Sequence, residues 1–236
     1  MALTRGKIVV AKSQTDVIEA PTPAGVPVRR ANAARSKRAK SEITRARLCN
    51  AASRLIEQKS LRLITVSELT ALAGVAPSTF YIYFADVDGA VLALLEDAQA
   101  AMPDLAATTS AISPERPEPG VRTLLTQYLA FWDQNYALLR IRNLAADEGE
   151  ARFRDARGKM LGPLLFALAE KIAEIRGDEL SKRTPALAIA SVISGSMERL
   201  ASFIRFRHAS PDMSRKRLIE AQVFLICQIL TRDSAR

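Results

Sequence analysis

The feature that most constrains the fold is a pair of helix boundaries between Thr65 and Pro77. Thr65 and Glu68 form a capping box, in which the hydroxyl accepts a hydrogen bond from the third amide of the helix. Gly74 is placed to end this helix, because the residue just past a helix often takes a positive φ. Pro77 suits the first position of the next helix, where its missing N–H costs nothing. These boundaries predict two short helices joined by a tight turn, which is the helix-turn-helix pattern.

The second of these helices has one face suited to the core and one suited to a groove. Phe80 and Phe84 fall on the same side at helical spacing. The opposite side and its flanks carry three hydroxyl-bearing residues and one aliphatic residue: Ser78, Thr79, Tyr81 and Ile82. Such a face suits a helix lying in the major groove of DNA, where hydroxyls meet phosphates and bases and an apolar group meets a thymine methyl. The alternative is a surface helix without a partner.

The positive charge of the chain is concentrated before the helix-turn-helix. The formal net charge is +9, and the stretch 29–47 holds eight basic residues against the single acid Glu42. The eight are Arg29, Arg30, Arg35, Lys37, Arg38, Lys40, Arg45 and Arg47. This layout predicts an arm that contacts DNA phosphates, with Arg38, Lys40 and Arg45 as candidate DNA-binding residues. A solvated tail is the alternative.

The rest of the pattern predicts an all-α fold of about nine helices. Residues 1–36 are predicted to be a disordered basic arm, 37–86 a three-helix DNA-binding domain, and 87–236 a helical domain for ligand binding and dimerisation. The first helix is expected to start at Lys37 or Ser41, and four prolines predict a loop over residues 103–119. Gly162–Pro163 is expected to kink or split the helix that contains it.

The segment TVSELTALAGVAPSTFYIYFADVDGAVLALLED, with the helix before it, resembles the DNA-binding domain of the tetracycline-repressor (TetR) family. The resemblance covers about Glu42–Leu95. It is carried by the capped helix at Thr65, then Ala73-Gly74-Val75, then Thr79-Phe80-Tyr81 and Tyr83-Phe84. The chain departs from the family pattern at Ala76, where a hydroxyl cap is usual, so Pro77 alone begins the second helix.

The resemblance implies roles for particular residues. Thr65 and its neighbouring amides would cap a phosphate, and Ser78, Thr79, Tyr81 and Tyr83 would contact phosphates or base edges. The C-terminal helices would form a ligand pocket and a dimer interface. Members of the family usually act as repressors that a ligand releases from a near-palindromic operator.

The C-terminal half offers two sets of candidate residues. The bulky side chains Phe131, Trp132, Tyr136, Phe166 and Met197 are candidates for the ligand pocket, with core packing as the alternative. Because residues 184–204 carry few charges, an apolar effector is mildly favoured. The apolar residues of the last two helices are candidates for a homodimer interface: Leu187, Val192, Leu200, Ile204, Val223, Phe224 and Leu230.

Other classes of protein find little support in the sequence. With a single histidine, no metal-ligand cluster and no glycine-rich phosphate loop, we expect neither an enzyme nor a bound cofactor or metal. Two distant cysteines and the lack of a long apolar run predict a cytoplasmic protein without a membrane span. A DNA-binding protein without a ligand, constitutive or architectural, remains open, as does an activator.

Overall fold

The computed structural model describes residues 28–177, 185–205 and 213–231, which form ten α-helices and no strand. The helices are α1 (Val28–Gln58), α2 (Val66–Ala73), α3 (Pro77–Phe80), α4 (Val87–Ala100), α5 (Leu105–Ser110), α6 (Pro117–Gln134), α7 (Tyr136–Asp147), α8 (Ala151–Arg176), α9 (Ala186–Phe203) and α10 (Arg215–Leu230). A 3₁₀ turn, Leu61–Leu63, follows α1. The prediction of an all-α fold is confirmed.

The chain divides into two compact units, Met1–Glu42 and Ile43–Arg236. In the first unit the helix begins at Val28 rather than at Lys37 or Ser41. Alanine and arginine are strong helix formers, and they supply six of the nine residues that follow Pro27. Residues 1–27, most of the predicted disordered arm, lie outside the described residues. The three domain boundaries given above stay a prediction.

In the second unit, the helix-turn-helix is held by apolar side chains from three helices and from the turn after α3. Leu48 and Leu55 of α1, Leu69 of α2 and Phe80 of α3 are almost completely buried, and Phe84 packs beside Phe80 with ring centroids 5.7 Å apart. Burial of each such side chain stabilises the fold by about 1.5–3 kcal/mol. The position of α3 is therefore fixed from its buried side.

Helix α5 interrupts the segment that was predicted to be a loop. Asp104 caps it, since its carboxylate accepts a hydrogen bond from the Ala107 amide at 2.9 Å, and Leu105 and Thr109 are buried. The prolines lie outside this helix, and Pro117 occupies the first turn of α6, where proline is tolerated. The proline count alone therefore misses a short, capped and anchored helix.

Helix α8 continues through Gly162–Pro163 and is not split there. A proline at this position leaves the carbonyl four residues earlier, that of Lys159, without its helical donor. The side-chain amide of Gln99 on α4 approaches that oxygen at 3.5 Å and supplies a replacement donor. The expected split is therefore not observed, and the Lys159 carbonyl has a side-chain donor from another helix.

The larger helices pack around α8, which contacts α4, α5, α7, α9 and α10. Tyr128 and Trp132 of α6, Phe153 of α8 and Met197 of α9 are almost completely buried between them. Among the described helices, none has the length and apolarity needed to cross a bilayer.

Candidate nucleic-acid interface and ligand cleft

The predicted helix boundaries of the helix-turn-helix are observed at Thr65, Gly74 and Pro77. The Thr65 hydroxyl accepts a hydrogen bond from the Glu68 amide at 3.3 Å. Gly74 has φ +67°, and Pro77 lies in the first turn of α3. Ala76 supplies no side-chain hydrogen bond to the cap. These features place α3 immediately after a tight left-handed turn.

The exposed side of α3 and of the turn after it carries both apolar and hydroxyl-bearing side chains. Tyr81 is 62% exposed and Ile82 is 76% exposed. Pro77 and Ser78 are also exposed, while Thr79 and Tyr83 are half-buried. Phe80 is wholly buried and holds α3 in the core. Tyr81 and Ile82, which follow it directly, are exposed to solvent. We call Ser78, Tyr81 and Ile82 the reading face.

The basic candidates differ in their surroundings. In the first unit Arg38 and Lys40 are exposed, and Arg38 lies 3.5 Å from Glu42 in an ion pair one helical turn away. In the second unit the Arg45 guanidinium lies 5.8 Å from the centre of the Phe84 ring and 3.9 Å from Asp97. Arg45 therefore has contacts of its own within the fold.

Ion pairs connect α2 to the end of α1 and connect the turn after α1 to the end of α7. Lys59 Nζ lies 2.5 Å from the Glu68 carboxylate, and this contact holds the pKa of Glu68 below its usual value. Arg62 pairs with Glu148 at the end of α7, at 2.8 Å. Sequence patterns predicted the capping role of Glu68 but could not predict its partner nine residues earlier.

Arg152, in the first turn of α8, links that helix to the start of α4. Its guanidinium lies 3.1 Å from Asp86 and 3.0 Å from Asp88. Asp86 also caps α4, since it accepts a hydrogen bond from the Gly89 amide at 2.7 Å. The Arg152 contact lowers the pKa of Asp86, whereas burial raises the pKa of Asp88. We call this group the Arg152 link.

A cleft of about 540 Å³ opens between α6, α7, α8 and α9. Its apolar walls include Trp132, Tyr136 and Phe203, and its polar lining includes Arg140, Arg157, Glu198 and Arg199. The Trp132 and Tyr136 rings meet edge to face, with centroids 6.5 Å apart. The volume falls in the usual range for small-molecule sites. We call it the Trp132 cleft.

A buried ion-pair network forms the floor of this cleft. Arg142 on α7 is 1% exposed and donates to the Glu198 carboxylate on α9. Arg157 on α8 donates to the other Glu198 oxygen at 2.5 Å and to Asp147 at 3.2 Å. Burial lowers the pKa of Arg142. The Arg142 side chain lies among α7, α8 and α9, where it contacts Met160 and Glu198.

The structure brings only two of the predicted pocket residues to the cleft. Trp132 and Tyr136 line it, Trp132 from a position that is only 1% exposed, whereas Phe131 and Met197 are buried and do not line it. Phe166 is 60% exposed on α8 and lines no described cleft wall. The helical spacing identified apolar positions, but it could not separate cleft walls from core or surface. We keep only Trp132 and Tyr136 as pocket candidates.

The predicted dimer residues also divide into two groups. Leu187, Val192 and Phe224 are exposed, at 44%, 73% and 60%. The other four are at most 5% exposed and pack inside the protomer, so they are not available to a second copy: Leu200, Ile204, Val223 and Leu230. One face of each of α9 and α10 is required for the protomer's own core, which accounts for the difference.

A second cleft, of about 370 Å³, lies between the end of α1 and α7. Its lining includes the carboxylates of Glu57, Asp88, Glu148 and Glu150, together with Lys59, Arg62 and Arg140. No aromatic side chain lines it. Its mixed charges and lack of aromatic walls make it a poorer ligand site than the Trp132 cleft.

Two family models match the chain. The model described as "Bacterial regulatory proteins, tetR family" matches residues 48–93, which contain the helix-turn-helix. The model described as "Tetracyclin repressor-like, C-terminal domain" matches residues 118–222, which contain the Trp132 cleft. None of the curated proteins searched matches the chain.

Solved structures of regulators share the fold. A putative TetR-family transcriptional regulator from Syntrophomonas wolfei is 18% identical, with a TM-score of 0.59, over 79% of this chain and 94% of that one. The fatty acid degradation regulator FadR from Bacillus halodurans is 18% identical, with a TM-score of 0.56, over 82% and 97%. A regulator from Aquifex aeolicus is 16% identical, with a TM-score of 0.54, over 77% and 99%. On this fold and on both family models, the chain belongs to the TetR family of DNA-binding transcriptional regulators.

Proposed function

We propose that the protein is a homodimeric repressor that binds a near-palindromic operator and leaves it when a small molecule occupies the Trp132 cleft. The exposed reading face is the observation that best supports DNA binding. Tyr81 and Ile82 are large, exposed and consecutive, and the buried Phe80 just before them holds this segment against the core. A large apolar side chain in water is more typical of a contact surface than of a solvated one.

The reading face supplies base contacts but little charge. Ser78 and Tyr81 can donate to phosphates or base edges, and Ile82 can meet a thymine methyl. Pro77, Thr79 and Tyr83 neighbour this face in the chain, and together with Thr65 they remain proposed contacts. Phosphate neutralisation must come from elsewhere, and the basic run that contains Arg38 and Lys40 is the proposed source.

Removal of basic residues from this run tests its role. Each arginine or lysine that neutralises a phosphate should, once replaced by glutamine, reduce the slope of log K against log salt concentration by about one. Arg38→Gln and Lys40→Gln are the informative variants, and Lys216→Gln on α10 is the control. The measurement is operator affinity by fluorescence anisotropy across a salt series. Unchanged slopes in both variants would show that the run is only a solvated tail.

The proposed dimer surface consists of exposed apolar residues on the last two helices. Leu187 and Val192 on α9 and Phe224 and Leu225 on α10 are all more than 40% exposed. A twofold dimer buries the same patch on both copies, so each residue contributes twice. The twofold axis then sets two half-sites about one DNA turn apart, or a multiple of one turn.

Phe224→Glu tests the dimer surface. We expect a loss of about 2 kcal/mol for each copy, since a central aromatic residue contributes most to a typical interface and the new charge is buried unpaired. The protein should become monomeric by sedimentation velocity and lose tight operator binding. Leu63→Glu, at another exposed apolar position, should remain dimeric. A fully dimeric Phe224→Glu protein would exclude this surface.

Release requires a path from the cleft to the reading face. Arg157, which lines the cleft, and Arg152, which holds Asp86 and Asp88, lie less than two turns apart on α8. A ligand that shifts the start of α8 therefore acts on the Arg152 link and through it on α4. Because α4 follows directly on the helix-turn-helix and its Asp97 pairs with Arg45 of α1 at 3.9 Å, this movement should change the spacing of the two reading faces.

Two alternatives predict other results. A constitutive or architectural DNA-binding protein would keep its operator affinity with any ligand, and an activator would bind its operator upstream of a promoter that it stimulates. An enzymatic function has less support, since the family consists of regulators that are generally not enzymes. The Trp132 cleft favours the ligand-responsive form over the constitutive one.

A further inference from the structure

We propose that the Trp132 cleft binds an organic carboxylate with a flat apolar body, and that Arg140 and Arg199 hold the carboxylate. This inference rests on the proposed function, because it specifies the ligand class for the same cleft. It replaces the mild expectation of an apolar effector that residues 184–204 gave. Such a ligand suits the charge balance of the cleft, its aromatic walls and the fixed geometry of its floor.

The charge balance of the cleft leaves two arginines uncompensated. Its lining holds three arginines and two carboxylates, Asp147 and Glu198. Both carboxylates are already paired, Asp147 with Arg157 and Glu198 with Arg157 and Arg142. Among the described residues, no carboxylate pairs with Arg140 or Arg199. An anion entering the cleft therefore meets two exposed cations that have no ion-pair partner among the described residues, although Arg140 also borders the second cleft and its carboxylates.

A third cation lies at the edge of the aromatic wall. The Arg205 guanidinium lies 4.1 Å from the centre of the Tyr136 ring, and the Arg199 guanidinium lies 5.6 Å from that of Phe203. Guanidinium groups stacked on rings are oriented and weakly hydrated, which favours bidentate contacts to carboxylates. A neutral ligand would leave these groups without any additional partner.

The aromatic residues define the body of the ligand. Trp132, Tyr136 and Phe203 supply most of the apolar wall, and Leu144 is the aliphatic residue beside them. Flat groups stack on such rings and gain more than their buried area alone provides. The buried Arg142–Glu198 pair keeps α7 and α9 in fixed positions below, so the ligand meets a preformed floor. An inorganic anion would leave this apolar wall in contact with water.

Tryptophan fluorescence reads this cleft directly, because Trp132 is the only tryptophan in the chain. The probes are para-butylbenzoate and para-butylbenzamide, which share a body and differ in charge. We expect the benzoate to change the Trp132 emission in a saturable way and to bind about ten-fold or more tightly than the amide. Decanoate tests the body, and it should bind more weakly than para-butylbenzoate.

Single substitutions test the two arginines. Arg140→Gln and Arg199→Gln should each weaken binding of para-butylbenzoate about ten-fold and leave the amide unchanged. The control is Arg154→Gln, an exposed arginine of α8 outside this cleft, which should change neither. Unfolding curves of all variants should coincide with that of the wild-type protein, since these side chains are exposed.

The outcomes separate this inference from the proposed function. Equal binding of acid and amide, loss of amide binding in the arginine variants, or no emission change with any carboxylate overturns the ligand class. Tighter binding of decanoate overturns the flat body. The proposed function has a separate readout, operator affinity. It fails when ligands that saturate the Trp132 signal leave operator affinity unchanged, whatever their charge.

Discussion

Replacing Glu198 with alanine is expected to lower the free energy of unfolding by about 3–5 kcal/mol, because it leaves the buried Arg142 cation without a carboxylate partner. Arg142 is 1% exposed and has Glu198 as its carboxylate partner. Without Glu198, its remaining contacts are the Asn143 amide oxygen and the Met160 sulfur, which are neutral. Urea denaturation followed by far-ultraviolet circular dichroism measures the change.

A matched control separates this effect from the ordinary loss of an ion pair. Asp133 pairs with Arg215 at 2.6 Å and both side chains are more than 40% exposed, so Asp133→Ala should cost less than about 1 kcal/mol. The double variant Arg142→Met/Glu198→Leu should recover most of the loss, since an apolar pair removes both buried charges. A Glu198→Ala protein as stable as Asp133→Ala would show that the buried pair does not stabilise the fold.

The second large effect is expected at the reading face. Tyr81→Ala should weaken operator binding by about 2–6 kcal/mol per dimer, since each copy loses contacts worth about 1–3 kcal/mol. Because Tyr81 is 62% exposed, its removal should leave the unfolding curve almost unchanged. Affinity is measured by anisotropy of a labelled operator, together with the denaturation curve of the same sample.

Ile82→Ala and Leu144→Ala complete this experiment. Ile82 is 76% exposed on the same face, and its removal should relax the preference at one base pair of each half-site. Leu144 is 48% exposed on α7, and its removal should not alter operator affinity. Wild-type affinity in both Tyr81→Ala and Ile82→Ala would exclude the proposed docking of α3.

Local signals in the sequence were enough to predict the helix-turn-helix. A capping threonine, a left-handed glycine and a first-turn proline each restrict only nearby backbone, so their effect can be predicted from neighbours. All three occupy the predicted positions. The spacing of the apolar residues also predicts which side of α3 is buried. Phe80 lies in the core, and the helix is too short to bury a second side.

Features that depend on tertiary contacts could not be predicted in this way. The donor that approaches the Lys159 carbonyl, left without a helical partner by Pro163, comes from Gln99, 60 residues away. The burial of Arg142 depends on Glu198, 56 residues away. Glu198 did leave a signal, as one of two charges in an otherwise uncharged stretch of α9, but its partner could not be identified from it.

The larger half shows the same limit for binding surfaces. Apolar spacing on α9 and α10 is shared by core residues such as Leu200 and Val223 and by exposed residues such as Val192 and Phe224. When both sides of a helix are apolar, the sequence pattern is the same for the side packed in the protomer and for the exposed side. Which side faces a second copy follows only when the packing of the protomer is known.

Selection of bound DNA from a random pool, with the purified full chain at near-physiological salt, tests sequence-specific operator binding most directly. The bound fraction is sequenced, and the number of protomers per DNA is measured by sedimentation. We expect one near-palindromic site with half-sites one helical turn apart, or a multiple of one turn, occupied by a dimer. DNA recovered without any sequence preference would contradict the operator-binding proposal and indicate an architectural protein held by charge alone.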